Sequence, residues 1–264
     1  MTLGRYELPR GEPFYWWGPV LVQPGSQTLG QLVGQQMLSA QEAAVLAALL
    51  RRGASIFVVS LASGAGKSTL LDAVVQSGPA HRGNVYLRGA YETFRFLDER
   101  DPQRTCLLVN EISPHLPIYL WGSGVRTFLH AAGTGFQLCA TVHAVDATSF
   151  IHLLTSPPLD VPLADVNRPK VVVTLHPVGT VGSDGDVRRS VRSITAITPG
   201  TTAQATALND IAERLEPGGP VQIFRERLAS FLRVAGLEPA GFYEEVTAFR
   251  NSLSDRAGSA GAAE

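Results

Sequence analysis

Only two cysteines occur in 264 residues, Cys106 and Cys139, and both lie inside apolar runs. That count excludes a disulfide framework, and the placement suits buried free thiols of a reducing compartment. Charge of one sign is also lacking, because 22 Lys and Arg face 23 Asp and Glu. The balance gives no bulk drive toward nucleic acid or an anionic membrane. No apolar run approaches the roughly eighteen residues that span a bilayer. The N-terminus lacks a charged-then-apolar export signal. The chain therefore reads as cytoplasmic, with any membrane connection made through a partner. Internal repeats and heptads are absent too, which leaves one large domain or one and a half, with a sizeable core.

What the chain does have is one organising stretch from Ser55 to Val75, SIFVVSLASGAGKSTLLDAVV. A β-branched apolar run at Ser55–Ser60 leads through a Gly-bearing turn to Leu70, Leu71, Val74 and Val75, spaced as one helix face. Strand, loop and helix in that order are the setting of a phosphate-binding loop. Gly64 and Gly66 let backbone N–H groups approach phosphate oxygens, and the helix N-terminus favours the anion. The nucleotide-contacting set predicted here is Ser63, Gly64, Ala65, Gly66, Lys67, Ser68 and Thr69. Lys67 would reach the β- and γ-phosphates, and Ser68 would place a hydroxyl on Mg²⁺. The usual spacing asks for another glycine at the position of Leu61. A Gly-rich turn with a helix-capping Lys is the competing reading.

Residues 1–27 are rich in Pro, Gly and aromatics, with Phe14-Tyr15-Trp16-Trp17 read as packing against the core. Thr28 with Gln31, and Ser39 with Glu42, have capping-box spacing and predict two helix starts. Asn84–Leu87 is a second strand, and Glu92 leaves its C-terminal end, where open parallel sheets bind ligands. A surface carboxylate is the alternative for Glu92. Thr105–Val109 is a third strand. Glu111 directly after it is positioned either to hold Mg²⁺ through water or to polarise the attacking water. Ile112–Gly124 reads as a mobile loop, and Val125–Ala132 as a short helix with Arg126 in its first turn. Phe136–Val142 is a fourth strand, and His143 at its end could sense a γ-phosphate or be structural. Asp146 caps the next helix. Residues 156–169 read as a surface linker, and Lys170–Leu175 with Arg189–Ile197 as an antiparallel hairpin. From Ala203 to Ser254 the pattern is helical, and the Ala, Gly and Ser tail reads as disordered.

In this order the pieces resemble the secretion and pilus-assembly ATPase superfamily, over about residues 28–200. The helix pair TLGQLVGQQMLSAQEAAVLAALL precedes SGAGKST, the Walker A motif. Glu92 matches the last glutamate of an acidic box, and Glu111 in LLVNE the Walker B glutamate. Thr134-Gly135-Phe136 through Thr141-Val142-His143-Ala144 matches the histidine box, and VVVTLHPVGTVGSDGDVRRSVRSITAI the strand, DG turn and basic strand that follow. The resemblance implies an α/β fold with a RecA-like P-loop NTPase core, a mostly parallel sheet, an antiparallel β-hairpin and a small C-terminal helical region. It divides the chain into a vestigial segment at 1–27, the ATPase domain at 28–200, C-terminal helices at 201–254 and a tail at 255–264. It implies ATP and Mg²⁺ as ligands, with the metal held by Ser68 and Glu111. Glu111 would activate water, Glu92 would assist at the metal, and His143 would report the γ-phosphate to a ring of subunits. The implied setting is a homo-oligomer, a hexameric ring docked on an inner-membrane platform protein of a secretion or pilus machine; the charge balance makes no direct nucleic-acid contact evident.

The chain departs from that pattern at Leu61, at Arg88-Gly89 in place of an acidic pair, at Phe136 in place of the first histidine, and at Ser113 in place of an arginine. Most of the N-terminal domain of the family is missing as well. Two function classes therefore stand: an ATP-hydrolysing motor subunit, and a degenerate ring subunit that binds nucleotide with little or no turnover. A small-molecule kinase is the third reading, weakened because no arginine-rich lid follows the loop helix.

Overall fold

A computed structural model describes residues 27–62, 64–181, 187–198, 204–207 and 229–260. Readings made above for residues 1–26, Ser63, the turn at 182–186, and 199–203, 208–228 and 261–264 lie outside the described residues.

Two short N-terminal helices start where the capping boxes predict. In α1 (Leu29–Gly34) the Thr28 hydroxyl accepts from the Gln31 N–H, and the Gln31 side chain accepts from the Thr28 N–H at 2.7 Å. In α2 (Ala40–Arg51) Ser39 and Glu42 repeat the arrangement. Each box satisfies two helix-end donors that would otherwise lack partners. The chain then enters β1 (Ile56–Val59), whose four residues are all buried. Helix α3 (Lys67–Gln76) follows, then β2 (Gly83–Tyr86), β3 (Thr105–Ile112), helix α4 (Ser123–Ala131), β4 (Gln137–Val142), helix α5 (Ala147–Thr155), the turn-length helix α6 (Leu163–Val166), and β5 (Lys170–Val181). Strands β6 (Val187–Thr198) and β7 (Gln204–Ala207) precede a short helix over residues 229–234 (α7) and the last helix, α8 (Phe242–Ala260).

The seven strands form one sheet in the order β2-β3-β4-β1-β5-β6-β7. The first five are parallel to their neighbours, and β6 and β7 add antiparallel. This is the mostly parallel sheet with an antiparallel hairpin that the motif order predicted. Side chains alternate across a strand, so β1 feeds two cores. Ile56 and Val58 pack with α2, α3 and α8 on one face, and Phe57 and Val59 with α4 and α5 on the other. Phe57 stacks on Phe150 of α5 with ring centroids 5.0 Å apart. A central strand buried on both faces reads as an unbroken apolar run, as IFVV does.

Four segments differ from the sequence reading. Gln204–Ala207 is a strand rather than the start of the helical region, because β6 offers a free edge and its backbone pairing outweighs the helix preference of alanine. Helix α8 continues to Ala260 through much of the tail read as disordered. The loop at 112–122 is tied down: the Leu120 N–H donates to the Glu111 carbonyl at 2.9 Å, and the Ser113 N–H to that of Leu120. The 156–169 segment is pinned to the core as well, with Leu159, Val161 and Val166 buried. Arg126 donates to the Leu159 carbonyl at 2.7 Å, so carbonyl oxygens of this segment take the cation that the sequence left without a partner.

Candidate functional site

Parallel topology brings the C-terminal ends of β1, β3 and β4 to one edge of the sheet, and that edge carries the candidate site. The end of β1 is tied to β4 by the Ser60 N–H donating to the Val142 carbonyl at 3.3 Å. Beyond it Gly64 and Gly66 adopt left-handed backbone, φ +66° and +82°, a region that L side chains enter only under strain. Gly66 is the N-cap of α3 and gives no side-chain cap, so the first N–H groups of that helix face outward with no side-chain acceptor. Ala65 is buried beneath them, and Ser68 and Thr69 are half-buried in the first turn. Leu61 does not share the left-handed backbone, so the missing glycine costs no strain there. Its side chain is 51% exposed.

Lys67 folds back under the loop. Its Nζ donates to the Ser60 carbonyl at 3.3 Å and sits 3.8 Å from Glu111 Oε2. The other carboxylate oxygen, Oε1, lies 3.7 Å from His143 Nδ1. Glu111 is thus flanked by a lysine from the phosphate loop and a histidine from the end of β4. Its side chain is only 14% exposed. The carboxylate belongs to β3 itself rather than to the loop after it. Between Val109 and Ile112 the β3–β4 register shifts, an irregularity of the kind that re-aims a side chain at a strand end. The buried Thr141 hydroxyl, from β4, donates to the Asn110 carbonyl at this point.

Two groups at the site escaped the sequence reading. His115 is exposed and meets His143 edge to face, ring centroids 4.7 Å apart. Tyr119 is near enough that burial first, and the Glu111 charge second, push its phenol above the ordinary value. The signal for His115 was present as a histidine four residues beyond Glu111 in a proline-punctuated loop. Burial lowers the His143 pKa, with Glu111 opposing and His115 and Lys67 reinforcing the shift, so its imidazole is neutral near pH 7.

Glu92 is not brought to this cluster. Its Oε1 accepts from the Thr93 N–H at 2.8 Å and the Phe94 N–H at 3.1 Å, and its Oε2 from the Arg88 N–H at 3.1 Å. Both oxygens organise the turn after β2. Gly89, in that turn, has φ +58°, and a Cβ there would lie 2.4 Å from the Ile118 backbone. The β2 exit therefore packs directly on the 112–122 loop, which only glycine allows. Phe136 is buried in the second core, a packing role at the place where the family pattern has a histidine. Cys106 and Cys139 are buried free thiols, and hydrogen bonding between them, with burial, raises the Cys106 pKa well above normal.

Strand order and loop geometry together define the class: a RecA-like phosphate-loop domain, with the loop between β1 and α3 at the C-terminal edge of a parallel sheet. No family model matches the sequence, and no curated protein matches it. Among solved structures the chain is similar to the VirB11 ATPase of the Brucella suis type IV secretion system, solved in complex with sulphate. The identity is 18% over 66% of this chain and 56% of that one, with a TM-score of 0.41. It is similar to the Legionella pneumophila ATPase DotB at 18% identity over 72% of this chain and 55% of that one, TM-score 0.34. The pilus retraction motor PilT with bound ADP gives 17% identity over 70% and 56%, TM-score 0.35. The chain spans little more than half the length of each of these neighbours. The likeness is one of fold, and the reading of the site rests on its own geometry.

Proposed function

We propose that the chain binds ATP with Mg²⁺ and hydrolyses it slowly, as a motor subunit of a secretion or pilus-assembly machine. The observation that carries this is Lys67 and His143 converging on opposite oxygens of one carboxylate, Glu111, beside an uncapped helix N-terminus. Backbone N–H groups of Gly64 to Thr69 would bind the phosphates. Lys67 would exchange its Glu111 contact for the β- and γ-phosphates, which frees Oε2 to orient and deprotonate the attacking water. His143 would hydrogen-bond the γ-phosphate. The donor set fits a Mg²⁺ held by the Ser68 hydroxyl and, through water, by Glu111, and when bound the ion supplies charge neutralisation to the transferring phosphoryl group. Glu92 would act on the metal only after leaving its local N–H donors.

The reading extends to a ring of copies, working in the cytoplasm on an inner-membrane platform partner. Its support is a set of exposed apolar residues, Leu61, Tyr91, Leu116 and Val145, each in the connection that leaves the C-terminal end of β1, β2, β3 or β4. Exposed apolar residues gathered around a functional edge fit association with a second copy. No helix among the described residues is long and apolar enough to cross a membrane.

Steady-state phosphate release with ATP and Mg²⁺ tests the proposal across protein concentration. Turnover should rise faster than linearly and fall at least about hundredfold in Glu111→Gln, while Lys67→Ala loses ATP binding. Nucleotide affinity unchanged in Lys67→Ala would refute the loop assignment. Tight ATP binding without turnover would favour the second reading, a nucleotide-binding ring subunit that is not a catalyst. The local engagement of both Glu92 oxygens is the observation on its side.

A further inference from the structure

We propose that Glu111, His115 and His143 form a binding site for a borderline-soft divalent metal ion, with Zn²⁺ as the type ion, distinct from Mg²⁺ bound with a nucleotide. One donor atom from each residue lies within 4.8 Å of the other two. A tetrahedral zinc site with bonds of about 2.1 Å places its donors about 3.4 Å apart. His143 Nδ1 and Glu111 Oε1, at 3.7 Å, already stand close to that separation.

These two come from the ends of neighbouring strands, fixed by the His143 N–H donating to the Ile112 carbonyl at 3.4 Å. The third donor is the adjustable one. His115 is exposed, and its backbone N–H donates to the Ser113 hydroxyl at 3.2 Å, so its ring can turn while its loop stays anchored. Gly89 packing under Ile118 and the Leu120 contact to Glu111 keep the same loop over the carboxylate.

Two imidazoles and one carboxylate select the ion by chemistry. Mg²⁺ and Ca²⁺ take oxygen ligands, whereas imidazole suits zinc, iron, cobalt and nickel. Three protein ligands leave a fourth position for water or a phosphate oxygen, as in open zinc sites. The metal would take Glu111 by Oε1, because Oε2 faces Lys67. With a dication on Oε1 the carboxylate is a weaker base at Oε2, so occupancy makes the ion an inhibitor of the edge it sits on.

Cobalt is the probe, because its visible spectrum reports coordination. Full-length protein stripped with chelator is titrated with Co²⁺ in the absence of nucleotide. The expected result is one equivalent bound, with intense bands of a four-coordinate nitrogen and oxygen site and no thiolate charge-transfer band. Zn²⁺ should displace it, and millimolar Mg²⁺ should not. His115→Ala, an exposed change that leaves thermal unfolding where it was, should weaken binding at least about tenfold. Lys67→Ala should keep the cobalt spectrum while losing ATP, which separates this site from the nucleotide proposal. Absence of a stoichiometric cobalt complex, a thiolate spectrum, or affinity unchanged in His115→Ala would each overturn it.

Discussion

Thr141 carries no charge, yet it holds the backbone from which Glu111 projects. Its hydroxyl donates to the Asn110 carbonyl where the β3–β4 register slips, and both residues are buried. Thr141→Val keeps the shape and removes the donor, leaving that carbonyl without its partner at a cost of about 1–3 kcal/mol. The irregularity would then relax toward regular pairing and turn Glu111 away from Lys67 and His143. Urea unfolding should show the loss of stability. Where ATP turnover is measurable, it should fall with little change in nucleotide affinity, because the phosphate loop is untouched. A Thr141→Val variant as stable as wild type would mean that the hydroxyl does not support the strand end. Thr141 lay within the stretch matched to the histidine box, but nothing in FQLCATV gave it a role of its own. The residue types that announced themselves were those whose chemistry is rare in a strand-end context: a lysine after two glycines, a glutamate and a histidine closing apolar runs.

At the scale of elements, the loops diverge from expectation more than the strands and helices do. Capping boxes and apolar periodicity are local codes, so α1, α2, β1, β4 and the start of α5 were readable from a few neighbouring residues. The 112–122 and 156–169 segments looked free because prolines and glycines punctuate them. Their order comes from long-range partners that no local code reports. Gly89 is the clearest case. In the family pattern it occupies the place of an acidic residue, but here it is where two loops touch: the Ala90 N–H donates to the Pro117 carbonyl at 3.0 Å, and a Cβ would meet the Ile118 backbone. Gly89→Ala and Gly89→Asp should both cost at least about 2 kcal/mol, from left-handed backbone and from displacement of a main chain that cannot yield like a side chain. Denaturant midpoints measure this. Gly89→Asp at wild-type stability would show that the two loops do not meet there.

For the whole molecule, the sheet separates chemistry from support: the site occupies one end of the parallel strands, and a buried cation occupies the other. Lys170 opens β5 and is 2% exposed. Its Nζ donates to the Arg168 carbonyl at 2.6 Å and to those of Asp165 and Val166, so it ties the 156–169 segment to the sheet. Asp165, itself buried, takes Arg168 Nε at 3.0 Å and His130 Nδ1 at 3.2 Å. Burial first, and Arg168 second, push the Lys170 pKa from 10.5 to about 7, with Asp165 opposing. The folded value is the lower one, so between these two pH values the unfolded chain holds a proton that the native protein has released. Global stability therefore climbs as pH rises through that window, and is lost as pH falls back toward 7. The slope from one such group is at most about 1.4 kcal/mol per pH unit. Urea unfolding at about pH 7.5 and about pH 9.5, in wild type and Lys170→Met, isolates the effect, because every other titrating group is common to both proteins. Wild type should gain about 2–3 kcal/mol more than the variant between the two conditions. Parallel pH profiles would mean that the ammonium stays charged in the fold, held by its three carbonyl partners rather than neutralised by burial.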